Sequence, residues 1–183
     1  MFEFFLFAAG VALAWFFIRK RVGFHSQKPE DFDGTVPAFD IRTHLSGPID
    51  CEGVIYGPTG RIASSFVAKM NGDWRGANGT LSEDFTYSGG SVQQRKWNLS
   101  LGNDGRFTAT ADDIIGTATG IQTGKSVRMK YMIRLPEGSG GHVLSVTDWM
   151  YLMDNGNIIN RSEMRKFGIK VAELVATMRP TTA

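Results

Sequence analysis

From Phe4 to Ile18 the chain carries fifteen residues without a charge, and Arg19-Lys20-Arg21 closes the run. No basic residue precedes it, so the positive-inside tendency predicts an amino terminus outside and the remainder on the cytoplasmic side. Fifteen residues fall short of the roughly 20 a helix needs to cross a bilayer core. Glu3 at one interface, snorkelling Arg19 and Lys20 at the other, and the rings of Trp15, Phe16 and Phe17 close most of the gap, giving a single-pass anchor over residues 1–21. A cleaved signal peptide fits less well, because no positive charge opens the run and Ala12-Leu13-Ala14 sits inside it. A helix lying flat in the interface fits less well too, since the run has no polar face.

Residues 22–37 keep no apolar period and read as a linker over the surface, with Lys28-Pro29-Glu30-Asp31, Asp33-Gly34 and Pro37 as breakers. Asp40 then caps a short helix through Leu45 that stops at Gly47-Pro48. Beyond it the period is two. Leu81, Glu83, Phe85 and Tyr87 share one phase; so do Trp97, Leu99 and Leu101, and Val127, Met129, Tyr131, Ile133 and Leu135, with Arg128, Lys130 and Arg134 in the opposite one. Turn clusters such as Asn71-Gly72, Gly102-Asn103-Asp104-Gly105 and Asp154-Asn155-Gly156-Asn157 separate the runs. Glycine makes up 22 of 183 residues, about 12% against a usual ~7%. Short sequential strands with no crossover helix predict an all-β, antiparallel up-and-down barrel of 8–10 strands over residues 38–180, behind the anchor. An open two-sheet sandwich is the alternative.

Phe107–Ala111 and Gly116–Gly120 place small side chains on both faces and cannot fill a barrel interior, which predicts a cavity for one small ligand. The competing arrangement is a packed interior filled by Trp74, Trp97 and Trp149. The last hairpin is apolar on both faces of its incoming strand, Trp149 and Tyr151 one way, Met150 and Leu152 the other, so that strand is covered on both sides or meets a lipid-like partner. Candidate ligand-binding residues are Trp97, Tyr131, Trp149 and Tyr151 as wall, and Arg161 with Asp112 or Asp148 as a polar floor for a carboxylate or phosphate head group. The alternative for Arg161 is an exposed ion-pair ladder.

About 145 residues behind the anchor suffice for one domain with a sizeable core. Twenty Lys and Arg against eighteen Asp and Glu, scattered along the chain, exclude a clustered basic surface, so no nucleic acid is expected as partner. Cys51 is the single cysteine and forms no internal disulfide, in keeping with a reducing compartment. Gly120–Ser126 has three residues rather than four between its glycines and reads as a hairpin turn, not a phosphate loop. His25, His44, His142 and Cys51 share no ligand spacing, so no metal or other cofactor is expected. Asp112 and Asp113, adjacent in a strand, point to opposite faces and cannot act together on one substrate atom. No catalytic constellation stands out.

The segments FDIRTHLSGPIDCEGVIYGPTGR, MNGDWRGANGTLSEDFTY, DGRFTATADDIIGTATG and Asp148–Gly168 resemble the bacterial domain-of-unknown-function family numbered 3833, over about residues 38–179. The resemblance implies a lipocalin-like domain borne on a lipoprotein signal or membrane anchor and found among genes that modify the acyl chains of membrane lipids. The family's usual lipobox is absent here, so a periplasmic placement stays beside the cytoplasmic one. Together these readings predict a membrane-tethered carrier of an acyl chain or similar apolar ligand, accessory to lipid modification, at the inner membrane. Two alternatives are an enzyme acting on lipid with Asp112 or Asp148 as general base, and an assembly factor with a filled barrel docking on a membrane-bound enzyme or complex.

Overall fold

The computed structural model describes residues 7, 10 and 22–181, and the expected anchor over residues 1–21 lies outside the continuous described chain. Among the described residues no helix is long and apolar enough to cross a membrane. Ten antiparallel strands follow one another around a closed barrel: β1 (Gly47–Tyr56), β2 (Ile62–Arg75), β3 (Asn78–Tyr87), β4 (Val92–Leu101), β5 (Arg106–Thr110), β6 (Ile114–Thr123), β7 (Ser126–Arg134), β8 (Val143–Leu152), β9 (Ile158–Lys166) and β10 (Ile169–Pro180). β1 pairs with both β2 and β10, from Ile49 opposite Pro180 to Tyr56 opposite Glu173. Closure leaves no strand edge, which excludes the open sandwich.

The period-two phases become the two sides of this wall. Leu81, Glu83, Phe85 and Tyr87 turn inward, as do Trp97 and Leu99 and, on β7, Met129, Tyr131 and Ile133. The lumen is wide because ten strands set the circumference, and barrel diameter grows with strand number. Small residues contribute less than their number suggests. Ala109 and Ala118 are buried opposite each other in the β5–β6 ladder without bounding the cavity, and Phe107 lies across Gly120, where an added Cβ would fall 2.1 Å from the ring. The period-two pattern thus carried the lumen, and the small-residue argument for it did not.

One end of the barrel is stoppered. The helix α1 (Ile41–His44) is capped by Asp40, whose carboxylate accepts from the Arg42 N–H, and it places Ile41, with Phe39 and Leu45, into the bottom of the core. The stopper is bonded to the wall at each step. The Phe39 N–H donates to the Gly124 carbonyl (2.7 Å), the Ile41 N–H to Oε1 of Gln122 (3.1 Å), and Nε1 of Trp74 to the Leu45 carbonyl (2.9 Å). Gly72 is glycine for lack of room: a Cβ there would lie 1.8 Å from the Leu45 carbonyl oxygen. The opposite end, ringed by the β1–β2, β3–β4, β5–β6, β7–β8 and β9–β10 turns, is the mouth.

The stretch read as a linker packs against the outside of the wall. Short 3-10 turns at Phe24–Ser26 and Pro29–Phe32 run down β9 and β8 toward the stoppered end. Phe32 sets its ring 5.6 Å from Trp149 and 5.8 Å from Tyr151, and His25 Nε2 lies 2.6 Å from Glu163 Oε1. The two-sided apolar character of β8 is explained here: its outer face is covered by the chain's own amino-terminal strap.

Candidate functional site

The barrel encloses a cavity of about 780 Å³ that opens at the mouth and is walled mainly by apolar side chains, among them Phe66, Leu81, Trp97, Met129 and Ile133. That volume falls within the roughly 300–1,000 Å³ usual for small-molecule sites. Its polar groups converge from five consecutive segments of the meander. Glu83 comes from β3, Arg95 from β4, Asp113 from the β5–β6 turn, Tyr131 from β7 and Asp148 from β8, with Asn160 and Ser162 of β9 beside them.

Arg95 organises one side. Its Nε and Nη2 both donate to Oδ2 of Asp113, at 2.9 and 2.7 Å, while Nη1 stands 3.7 Å from Oε2 of Glu83. The guanidinium carbon lies 5.9 Å from the Phe85 ring centroid and 5.8 Å from that of Trp97, within cation–π range. Trp97 meets Tyr131 edge to face at 5.4 Å, and the Tyr131 hydroxyl donates to Oδ2 of Asp148 at 2.8 Å. Deeper in the wall, Nδ2 of Asn160 donates to the Trp149 carbonyl and Ser162 to Oδ1 of Asn160.

The environment disfavours negative charge here. Burial pushes the Glu83 carboxyl up to about 7 against the pull of Arg95, and burial likewise raises Asp148 despite the hydroxyl of Tyr131. Burial also works against the charge on Arg95, but Glu83, Tyr131 and Asp113 outweigh it and hold the guanidinium protonated. The Cys51 thiol, buried in the same wall, is pushed up to about 12 by desolvation and stays protonated and unreactive. Among the described residues three buried carboxylate oxygens have no hydrogen-bond partner: Oε2 of Glu83, Oδ1 of Asp113 and Oδ1 of Asp148.

Of the residues singled out from the sequence, the lumen brings together Trp97, Tyr131 and Asp148. The other four lie outside it. Trp149 and Tyr151 alternate with the inward Asp148 and Met150, so they point out, stacked 6.2 Å apart under Phe32, with Arg128 over the Trp149 ring and Tyr151 bonded to Gln27. Arg161 alternates with Asn160 and Ser162 and also points out, donating to Glu173 at 2.7 Å beneath Phe24, which is the exposed ion-pair arrangement. Asp112 faces a polar groove of about 370 Å³ that shares Glu83, Arg95 and Asp113 with the lumen but reaches it from outside, while its neighbour Asp113 turns toward Arg95. The polar group of the lumen is therefore built on Arg95, not Arg161. Glu83 and Arg95 were missed although their signal was present: each is a charge standing in the apolar phase of its strand.

No curated protein matches the chain. Among solved structures it is similar to the S-type phycobiliprotein lyase CPES from Guillardia theta, at 6% identity and a TM-score of 0.57, over 77% of this chain and 90% of that one. It is also similar to Rv2717c from M. tuberculosis, at 14% identity and a TM-score of 0.56, over 81% of this chain and 99% of that one. At such identities the likeness concerns the fold alone. Residues 20–180 match the family described as Protein of unknown function (DUF3833), and the chain belongs to that family.

Proposed function

We propose that this chain is a membrane-tethered carrier that holds an acyl chain or similar apolar ligand inside its barrel, as an accessory to lipid modification. The observation that carries the reading is the cavity itself: about 780 Å³, closed below by α1, open above, and lined mostly by apolar side chains with one polar cluster. The S-type phycobiliprotein lyase shares the fold and lends the reading support by analogy only. An assembly factor would need no such space, and the size of the lumen favours carriage over docking.

The tethering part draws on the apolar run ahead of Arg19 and on one feature of the barrel's mouth. Ile62, Val92, Phe167 and Ile169 are exposed on the turns and strand ends there, beside Arg61, Lys166 and Lys170. An apolar rim with basic neighbours suits a surface of anionic lipid. Lipid extraction and mass spectrometry of the purified full chain test the proposal. A defined apolar species near one equivalent is expected, reduced at least tenfold by Ala172→Trp, which places a bulky ring in the cavity wall near the mouth. Repeated absence of any bound apolar molecule, with circular dichroism showing a folded barrel, would overturn it.

A further inference from the structure

The polar end of the cavity is acidic. Glu83, Asp113 and Asp148 supply three carboxylates, and Arg95 is the one cation facing them among the described residues, with two of its donors already committed to Asp113. Glu83 and Asp148 are each more than nine-tenths buried, line the cavity, and keep one oxygen without a partner. The other groups facing this cluster include the indole N–H of Trp97 beside Glu83 and, beside Asp148, the hydroxyls of Tyr131 and Ser162 and the amide of Asn160, and Tyr131 already donates to Asp148.

A buried, unpartnered carboxylate oxygen costs free energy until a donor reaches it. An anionic head group entering here would meet two such oxygens and would have to share Arg95 with Asp113 and, at 3.7 Å, with Glu83; a positively charged nitrogen would find acceptors on both sides. We infer that the ligand is an amphiphile whose polar end is a cationic nitrogen with N–H donors, seated between Glu83 and Asp148, rather than a fatty-acid anion. This rests on the carrier reading and narrows its ligand class, replacing the carboxylate or phosphate head group expected for Arg161. Trp97 and Tyr131, which meet edge to face, flank the seat.

Competitive displacement of Nile red from the full chain, held in an amphipol so that detergent does not compete for the cavity, provides the test. Dodecylamine and dodecanoate have equal chain lengths and opposite charges. Dodecylamine is expected to bind at least tenfold more tightly at pH 7.5. The chain's net charge of +2 would favour dodecanoate at non-specific sites, so bulk attraction cannot produce this order. Glu83→Gln and Asp148→Asn, each nearly isosteric, should bring the two affinities to within about threefold, whereas Asp84→Asn, on the opposite face of β3, should leave the tenfold preference intact. Equal affinities in the wild-type chain, or tighter binding of dodecanoate, would overturn the inference while carriage stands. Failure of Nile red and of both amphiphiles to bind would remove the carrier reading and this inference with it. Should either lumen variant misfold, the wild-type order decides the matter alone.

Discussion

Replacing Glu83 by glutamine should stabilise the protein, and by an amount that depends on pH. The glutamate is buried on the inner face of β3, and desolvation raises its pKa from 4.5 to about 7 even with Arg95 nearby. A raised folded-state pKa means that the folded chain holds the proton more tightly than the unfolded one. The favourable contribution is complete below the unfolded value near 4.5 and is lost as pH rises through about 7. Glutamine resembles the protonated acid in shape and never ionises, so it avoids that loss, and Arg95 keeps Asp113 as partner at 2.7 Å. Linkage with these two pKa values gives a gain for Glu83→Gln of about 1 kcal/mol at pH 5 and about 3 kcal/mol at pH 8. At about 2–4 °C per kcal/mol for a chain of this size, the pH 8 gain corresponds to roughly 6–12 °C in Tm. Urea denaturation of both proteins at the two pH values, followed by tryptophan fluorescence, measures it. Burial raises Asp148 in the same direction and its charge acts on Glu83, so repeating the substitution in an Asp148→Asn background isolates the Glu83 contribution. A variant no more stable than wild type at pH 8, or one with the same gain at both pH values, would refute the reasoning.

Other consequences follow from the stopper and the strap. Gly72→Ala would drive a methyl group into the Leu45 carbonyl, so α1 should lose its seat, with hydrogen exchange over residues 39–45 accelerating at least tenfold. Ile41→Ala removes a fully buried side chain from the stopper and should cost about 2–5 kcal/mol in urea denaturation. Phe32→Ala uncovers Trp149 and Tyr151; a half-buried phenylalanine is worth about 1–2 kcal/mol, and Trp149 emission should shift to the red as water reaches it. Phe167→Asp, at a fully projecting turn residue of the mouth, should weaken binding to anionic vesicles several-fold without changing stability by more than about 0.5 kcal/mol.

The barrel was legible in the sequence because its signal is local. Alternation on β3, β4 and β7, turn residues between short runs, and the lack of a crossover helix point to one architecture, and even the Asp40 cap is placed correctly. The site was harder, for reasons that differ by residue. Adjacent strand residues face opposite ways, so the choice between Asp112 and Asp113 turned on one position of phase at a strand end, where the irregular β5–β6 turn sets the phase. Trp149 and Tyr151 looked like ligand walls because β8 is apolar on both faces, but what covers the outer face is the strap, over a hundred residues away in sequence. Period alone does not say which phase is inside when both are apolar. Glu83 and Arg95 carried a clearer signal, a charge breaking an otherwise apolar phase, and such a break on a barrel strand marks a polar group aimed into the lumen.

The most direct measurement is the stoichiometry and emission of Nile red added to the full chain in amphipol, with Ala172→Trp as comparison. A hollow, ligand-holding barrel predicts saturation at one dye per chain, blue-shifted emission from an apolar site, and at least a tenfold loss of affinity when tryptophan occupies the wall position. Binding that never saturates, or that is unchanged by Ala172→Trp, would contradict it.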